Sequence, residues 1–249
     1  MIRGIYTATS ALRAATMHQT RLAHNITNLQ TAGFKQILTT HQAYENQRMG
    51  EYNGDTAALV RALDGGLEQG LLIPEEIIDF SQGALQVTDR PLDLALEGDG
   101  FFRVQAPEGE RYTRDGSFHR DGLGRLVNRD GHFVLNEGGQ PLTLPPGPLS
   151  VSPDGLVQAG GALAGRLGLL TFANTDDLIR ENGNLFRAEA AGTPSVGVRV
   201  QQGYLEGSNV DENVQMLEMM RIMRLYEASQ RSLQTQDRTL GQALAVGEV

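Results

Sequence analysis

Apolar residues recur every three or four positions along residues 3–30, which predicts a long N-terminal helix. The helix would be about 42 Å long at a rise of 1.5 Å per residue, and Gly33 would end it. A stripe with this spacing over several heptads is typical of a coiled coil. The stripe consists of Ile5, Ala8, Leu12, Ala15, Gln19, Leu22, Ile26 and Leu29.

A second long helix is predicted at the C-terminal end. Asn209 is a candidate N-cap, and Glu212 follows at the spacing of a capping box. The stripe of this helix contains Met219, Ile222, Tyr226, Ser229, Leu233, Gln236, Leu240 and Ala243, with Val214, Leu217 and Leu225 roughly opposite. Two stripes without a third long helix leave apolar surface for other subunits. The alternative is a helical pair packed on its own β domain, and periodicity alone does not decide between them.

The middle of the chain has the pattern of antiparallel strands. Residues 92–96 and 196–200 alternate between apolar and other positions with period two, and shorter strand-like runs occupy residues 101–104, 133–135 and 168–172. Asp-Gly pairs, which are strong hairpin signals, begin at Asp99, Asp115, Asp121, Asp130 and Asp154. Of the 30 glycines, 26 lie between residues 49 and 210, so turns are concentrated there.

These patterns predict an α+β fold, in which long N- and C-terminal helices form a coiled-coil-like layer beside a central antiparallel β domain. The predicted division is an N-terminal helix over residues 1–35, an extended connector over 36–80, a β domain over 81–207 and a C-terminal helix over 208–249.

Composition and motifs exclude several functions. The formal net charge of −9 argues against nucleic acid as a partner. There is no cysteine, no secretory signal pattern, and no apolar run near the 18 or so residues that would indicate membrane insertion. The sequence lacks a phosphate-binding loop, a histidine pair at i, i+4 spacing and a calcium-loop motif. Asp115, Ser117 and His119 are better explained as a turn and its flanking strand than as a catalytic triad. We therefore expect no catalytic residue, metal or cofactor, and no enzyme activity.

Four segments resemble the signatures of bacterial flagellar axial proteins, the family of rod and hook subunits. Residues 22–35 (LAHNITNLQTAGFK) resemble the N-terminal signature of that family, and residues 90–102 (RPLDLALEGDGFF) its central motif. Residues 112–118 (YTRDGSF) follow the central motif, and residues 203–210 (GYLEGSNV) with 224–227 (RLYE) are similar to the C-terminal block. His24 and Met223 depart from the usual Asn and Gln of the family.

The resemblance implies a structural subunit of the flagellar basal-body rod, which polymerises through its terminal helices and transmits torque from motor to hook. It favours the proximal rod; the alternatives are a distal rod or hook-type subunit, or an unrelated tube-forming coiled-coil protein. The implied partners are copies of itself, other rod subunits and, in transit, the flagellar type III export apparatus, with export to the periplasm-spanning rod and no cleaved signal peptide. The expected assembly residues are Ile5, Leu12, Leu22, Asn25, Ile26, Asn28, Leu29, Gly33, Phe34, Met219, Ile222, Tyr226, Leu233 and Leu240.

Overall fold

The computed structural model describes residues 2–39, 76–181, 184–195 and 197–247, with the backbone alone for residues 2–8, 240 and 243–247. Most of the predicted connector over 36–80 lies outside the described residues. The chain divides into two compact units. The first comprises Met1–Ile26, Ile37–Ile77 and Glu212–Val249, and the second comprises Thr27–Gln36 and Ile78–Asp211.

The described residues form a helix at each end and eighteen strands between them. The helices are α1 (Ile2–Thr27) and α2 (Glu212–Gly247). The strands are β1 (Gln36–Thr39), β2 (Glu76–Asp79), β3 (Leu85–Val87), β4 (Leu94–Glu97), β5 (Phe101–Ala106), β6 (Gly109–Thr113), β7 (His119–Arg120), β8 (Leu126–Val127), β9 (Phe133–Val134), β10 (Leu149–Val151), β11 (Leu156–Ala159), β12 (Ala162–Arg166), β13 (Leu169–Thr171), β14 (Leu178–Arg180), β15 (Phe186–Ala188), β16 (Thr193–Pro194), β17 (Arg199–Gln202) and β18 (Tyr204–Glu206). Within the described residues, neither helix is apolar over a long enough stretch to cross a membrane.

The predicted fold class is wrong, because the two helices do not form a coiled-coil-like layer and the described chain is β-rich. In the first unit, α1 and α2 share one small apolar cluster of Ala15, Leu22 and Ile222, with Met219 and Tyr226 packed against it. A coiled coil needs apolar side chains at successive a and d positions along both helices. Among the side chains that the structure describes, the shared cluster reaches no further along α2 than Tyr226, and the stripe beyond it includes the polar residues Ser229 and Gln236.

The strands of the second unit form several small sheets, and every pairing with a described register is antiparallel. The largest sheet has the order β14-β15-β6-β5-β9-β8-β7, with β13 joining β5 to β16. A three-stranded sheet has the order β10-β11-β12, and the pairs β17-β4 and β18-β3 complete the unit. The pairing of β17 and β18 with β4 and β3 brings the residues before α2 beside an early part of the chain.

Two apolar clusters fill the interior of the second unit. The larger one includes Phe102 and Phe118, whose rings meet edge to face with centroids 5.0 Å apart. The smaller one is aromatic: Phe101 lies 5.5 Å from Phe80 and 6.0 Å from Phe186 between ring centroids. Edge-to-face rings at these distances add to the free energy gained by burial. These clusters hold the strands of the second unit together.

The start of α2 differs from the predicted capping box. The helix begins at Glu212, and Asn209 lies before it in the second unit. The Asn209 Oδ1 accepts a hydrogen bond from the Gln36 N–H at 2.8 Å, and its Nδ2 donates to the Asp79 carbonyl at 2.8 Å. Asn209 therefore joins three segments of the second unit.

Candidate assembly site

The exit segment, residues 28–36, follows α1 directly and is bound along its backbone by side chains of the second unit. The Ala32 carbonyl accepts a hydrogen bond from Asn184 Nδ2 at 3.0 Å, and the Lys35 carbonyl accepts one from Arg180 Nη1 at 3.0 Å. The Gly33 N–H donates to the Glu206 carbonyl at 2.7 Å. Buried backbone groups need such partners, so the path of the exit segment is specified by residues far away in the sequence.

Gly33 occupies a position that no other residue fits. Its φ is +65°, in the left-handed region that favours glycine. A Cβ at this position would lie 2.3 Å from the Arg114 carbonyl carbon and 2.4 Å from the Asp115 nitrogen. Both atoms belong to the backbone of the second unit, which cannot move aside as a flexible side chain can. The glycine therefore lets the chain turn and come close to the backbone that directly follows β6.

Phe34 is fully buried, and the guanidinium of Arg180 lies 4.2 Å from its ring centroid. A cation over an aromatic face is attracted by the ring quadrupole. Arg180 also donates to the Lys35 carbonyl, so one side chain holds both the ring and the adjacent backbone. Gly33 and Phe34, both predicted assembly residues, are thus placed inside the second unit.

Lys35, Arg114 and Glu206 form a buried ionic cluster beside the exit segment. The Lys35 Nζ donates to Glu206 Oε1 at 2.6 Å and to the Ser81 carbonyl at 2.7 Å. The Arg114 Nη1 donates to Glu206 Oε2 at 3.4 Å. Side-chain exposure is 0% for Lys35 and Glu206 and 2% for Arg114. Burial lowers the pKa of Lys35 and of Arg114, and in both cases the Glu206 carboxylate opposes that shift.

In the first unit, Asn25 connects α1, β1 and α2. Its side-chain amide donates to the Ile37 carbonyl at 2.9 Å and accepts from the Ile37 N–H at 3.0 Å, as a neighbouring strand would. The same Nδ2 donates to Gln215 Oε1 on α2 at 3.2 Å. Asn25 is 1% exposed and Gln215 is 3% exposed. Asn25 therefore fixes where the chain leaves α1.

The other predicted assembly residues differ in their burial. Leu22 and Ile222 are buried in the cluster shared by α1 and α2. The side chains of Ile5 and Leu240 lie outside the described residues. Those that are half-buried are Leu12, Ile26, Asn28, Leu29, Met219, Tyr226 and Leu233.

The first four turns of α2 expose many large apolar side chains. Three of them, Val214, Leu217 and Leu225, were expected from the sequence to lie roughly opposite the stripe. The exposed fraction reaches 64% at Leu217. The exposed face of α2 consists of Val214, Met216, Leu217, Met220, Met223 and Leu225. Exposed large apolar side chains gathered on one helix are candidates for a contact with another molecule.

Sequence reasoning missed the buried charges. Lys35, Arg114 and Glu206 lie in three of the four segments that carry the family resemblance, and Phe101 of the fourth lies 5.0 Å from the Arg114 guanidinium. The available signal for this cluster was the presence of charged residues inside short motifs that also contain glycine and aromatic residues. Their pairing could not be seen, because the three residues are distant in sequence.

Comparison with known proteins identifies the chain. A model of the flagellar hook protein FlgE/F/G D1 domain matches residues 95–159, and a model of the flagellar basal body rod FlgEFG protein C-terminal region matches residues 201–246. The flagellar basal-body rod protein FlgG of Bacillus subtilis is 33% identical over 258 residues, which cover 96% of this chain and 97% of that protein. The chain belongs to the flagellar basal-body rod protein family.

Other rod proteins match over similar lengths. FlgF of Caulobacter vibrioides is 35% identical over 215 residues, covering 83% of this chain and 82% of its own length. FlgG of Borreliella burgdorferi is 32% identical, covering 97% of each chain. The rod protein described here is accordingly a structural subunit of the flagellar basal-body rod, located in the basal body. The matched ranges include Arg114 and Glu206 of the ionic cluster.

Proposed function

We propose that this rod protein assembles with copies of itself and with other rod subunits through its terminal helices, with the exposed face of α2 as the main contact. The observation that carries this proposal is the exposure of six large apolar side chains on one helix. Burying each Leu, Val or Met side chain contributes about 1.5–3 kcal/mol. Because about half of each side chain is exposed, covering all six would supply roughly 5–9 kcal/mol. That gain offsets a substantial part of the loss of rigid-body freedom.

The proposed contact is heterologous, with a different surface of the next subunit covering α2. Heterologous contacts whose rotation does not close produce open filaments instead of rings. A filament of this kind can transmit torque from motor to hook as a drive shaft. Its subunits need no substrate turnover, so we infer that the protein is not an enzyme and that neither nucleic acid nor a cofactor takes part.

A matched pair of substitutions tests the assembly contact. Leu217 on α2 and Leu163 on β12 are each 64% exposed. We expect Leu217→Asp to abolish incorporation into basal bodies, because it would bury a carboxylate in the contact. Leu163→Asp should leave incorporation unchanged. The measurement is the amount of each variant in purified basal bodies, and normal incorporation of Leu217→Asp would contradict the proposal.

We further propose the proximal segment of the rod as the position of this subunit. Residues 5–8 (IYTA) and 205–210 (LEGSNV) favour it, whereas residues 81–85 (SQGAL) also resemble distal rod proteins. Immunogold labelling of an epitope tag in isolated basal bodies distinguishes the two. Label at the membrane end of the rod supports the proposal, and label next to the hook contradicts it.

The route to the rod is proposed to be the flagellar type III export apparatus, as the family resemblance implies. Secretion of the tagged protein should stop when the export gate is inactivated.

We also propose that the predicted division at residues 35, 80 and 207 separates parts of the chain that differ in their resistance to protease. Limited proteolysis should cleave the terminal helices first and spare the β domain, whereas equal resistance of all parts would overturn this division.

A further inference from the structure

Glu206 accepts four hydrogen bonds, two of them from the exit segment and two from other parts of the second unit. Its Oε1 accepts from Lys35 Nζ at 2.6 Å and from the Gly83 N–H at 2.9 Å. Its Oε2 accepts from Arg114 Nη1 at 3.4 Å, and its backbone carbonyl accepts from the Gly33 N–H at 2.7 Å. Four segments of the chain therefore meet at a single buried residue.

The charges of the cluster are unbalanced around this carboxylate. Two cations, Lys35 and Arg114, share one buried anion, and within the described residues Arg114 Nε is buried without a hydrogen-bond partner. The more distant carboxylates of Asp79 and Asp99 act on Lys35 and Arg114 respectively. Removing Glu206 would leave two buried cations without a carboxylate in direct contact, which is far more costly than removing one of the cations.

The position of Glu206 in the sequence sets when the exit segment can be fixed. Lys35 and Glu206 are 171 residues apart, and the Gly33 N–H also depends on Glu206. A chain that emerges from its N-terminal end, in synthesis or in transport, cannot form these bonds until residue 206 has been delivered. Burying Lys35 earlier, without the carboxylate, would be unfavourable.

We propose that Glu206 is a latch that docks the exit segment onto the rest of the second unit only when the chain is complete through β18. Opening the latch loosens the exit segment at Gly33 and Lys35, whereas the hydrogen bonds from Asn184 and Arg180 remain. The sheets stay folded, because the apolar clusters of the second unit are formed by other residues. The latch thereby makes the docking of the segment that follows α1 the last step in ordering the second unit. It does not depend on the exposed face of α2.

Hydrogen exchange of the full-length protein tests the latch. In Glu206→Gln, the amides of Gly33 and Gly83 should exchange at least about tenfold faster, with β5 and β9 unchanged. Lys35→Met should have a smaller effect, because the Arg114–Glu206 pair remains. Glu110→Gln is the matched control, since it removes a carboxylate from the Arg103 ion pair in the same unit, away from the exit segment. Equal acceleration across the sheets, or unchanged exchange at Gly33, would overturn the proposal.

Pulse-labelled refolding of the unaltered protein provides a test that does not require the variants to fold. Protection of the Gly33 amide should appear together with protection of the β18 amides or after it, and later than protection of β5. Protection of Gly33 before β18 is formed would show that the exit segment docks without Glu206, and the latch would be excluded.

Discussion

Both the exposed face of α2 and the exit segment depart from the usual arrangement of apolar residues inside and charged residues outside. The first exposes apolar side chains, and the second buries charged ones. The α2 face presents Leu217 and Met220 to solvent, while the exit segment buries the charged Lys35 among other charged residues. Exposed apolar side chains gain free energy only when another surface covers them. Buried charges are stable only in an arrangement of the chain that pairs them with opposite charges. The first region is therefore suited to association, and the second to fixing the path of the subunit itself.

The largest expected effect on stability is at the exit segment, in Phe34→Ala. Phe34 is fully buried, so we expect a loss of about 3–5 kcal/mol in unfolding free energy. Phe133 is a matched control, because Arg125 lies 4.2 Å from its ring centroid, the same distance as Arg180 from Phe34. Phe133 is only half-buried, so Phe133→Ala should cost less. Urea denaturation measures both, and equal losses would mean that the cation contact and not burial dominates.

Gly33→Ala should come next, with Gly131→Ala as its control. Both glycines have positive φ, +65° and +85°, but only Gly33 has backbone within reach of an added Cβ. The strained φ costs about 1–2 kcal/mol at either position. Overpacking against Arg114 and Asp115 should add about 1–3 kcal/mol at Gly33 alone. Indistinguishable unfolding midpoints for the two variants would contradict the close approach.

Asn25→Ala should destabilise the first unit by about 1–3 kcal/mol, because it leaves the buried N–H and carbonyl of Ile37 without their partner. Asn174→Ala is the comparison. Asn174 is exposed and accepts from the Asp176 N–H at 3.1 Å, and water can replace that bond. Thermal unfolding followed by circular dichroism at the helical signal compares the two variants, and a similar effect of both would argue against the role of burial.

The pKa of Lys35 predicts a pH dependence. Burial lowers this pKa from the usual 10.5, so between the two values the unfolded chain binds more protons than the folded one. Unfolding free energy from this group therefore rises as pH increases through that interval. The unaltered protein should gain stability relative to Lys35→Met as pH rises toward about 10. Parallel urea midpoints for the two proteins over this range would contradict the shift.

The smallest effect on stability is expected at the exposed face of α2. Leu217→Ser should change the unfolding free energy of the dilute monomer by no more than about 0.5 kcal/mol, because the side chain is 64% exposed. Its effect should appear only in assembly. A large loss of monomer stability would show that Leu217 packs within the subunit, and the contrast with the exit segment would then fail.

Local patterns predicted individual elements better than their environments. Strands β5, β9 and β13 form where apolar runs predicted them. In contrast, the period-two alternation of residues 92–96 is typical of a half-buried strand, yet residues 93–96 are all buried. Strand β4 pairs with β17 and also packs in the larger apolar cluster. Burial on both faces depends on what covers the strand, which a short alternating run does not encode.

The helical stripes led to a wrong fold class for a related physical reason. A stripe shows that one side of a helix is apolar but does not say what covers it. In this protein Leu22 and Ile222 meet in a small cluster, whereas Leu217 and Met220 stay exposed. The two stripes predicted a coiled-coil-like layer, with apolar surface left for other subunits, but they did not specify which surface covers each stripe.

Short motifs and helical periodicity are properties of neighbouring residues, and they were enough to indicate the family of this rod protein and its two terminal helices. The shared buried site of Lys35, Arg114 and Glu206 became visible only in the folded chain. Their meeting requires the strands between residues 35 and 206 to fold along a particular path. Contacts over such separations depend on the whole chain, so no local pattern could have indicated them.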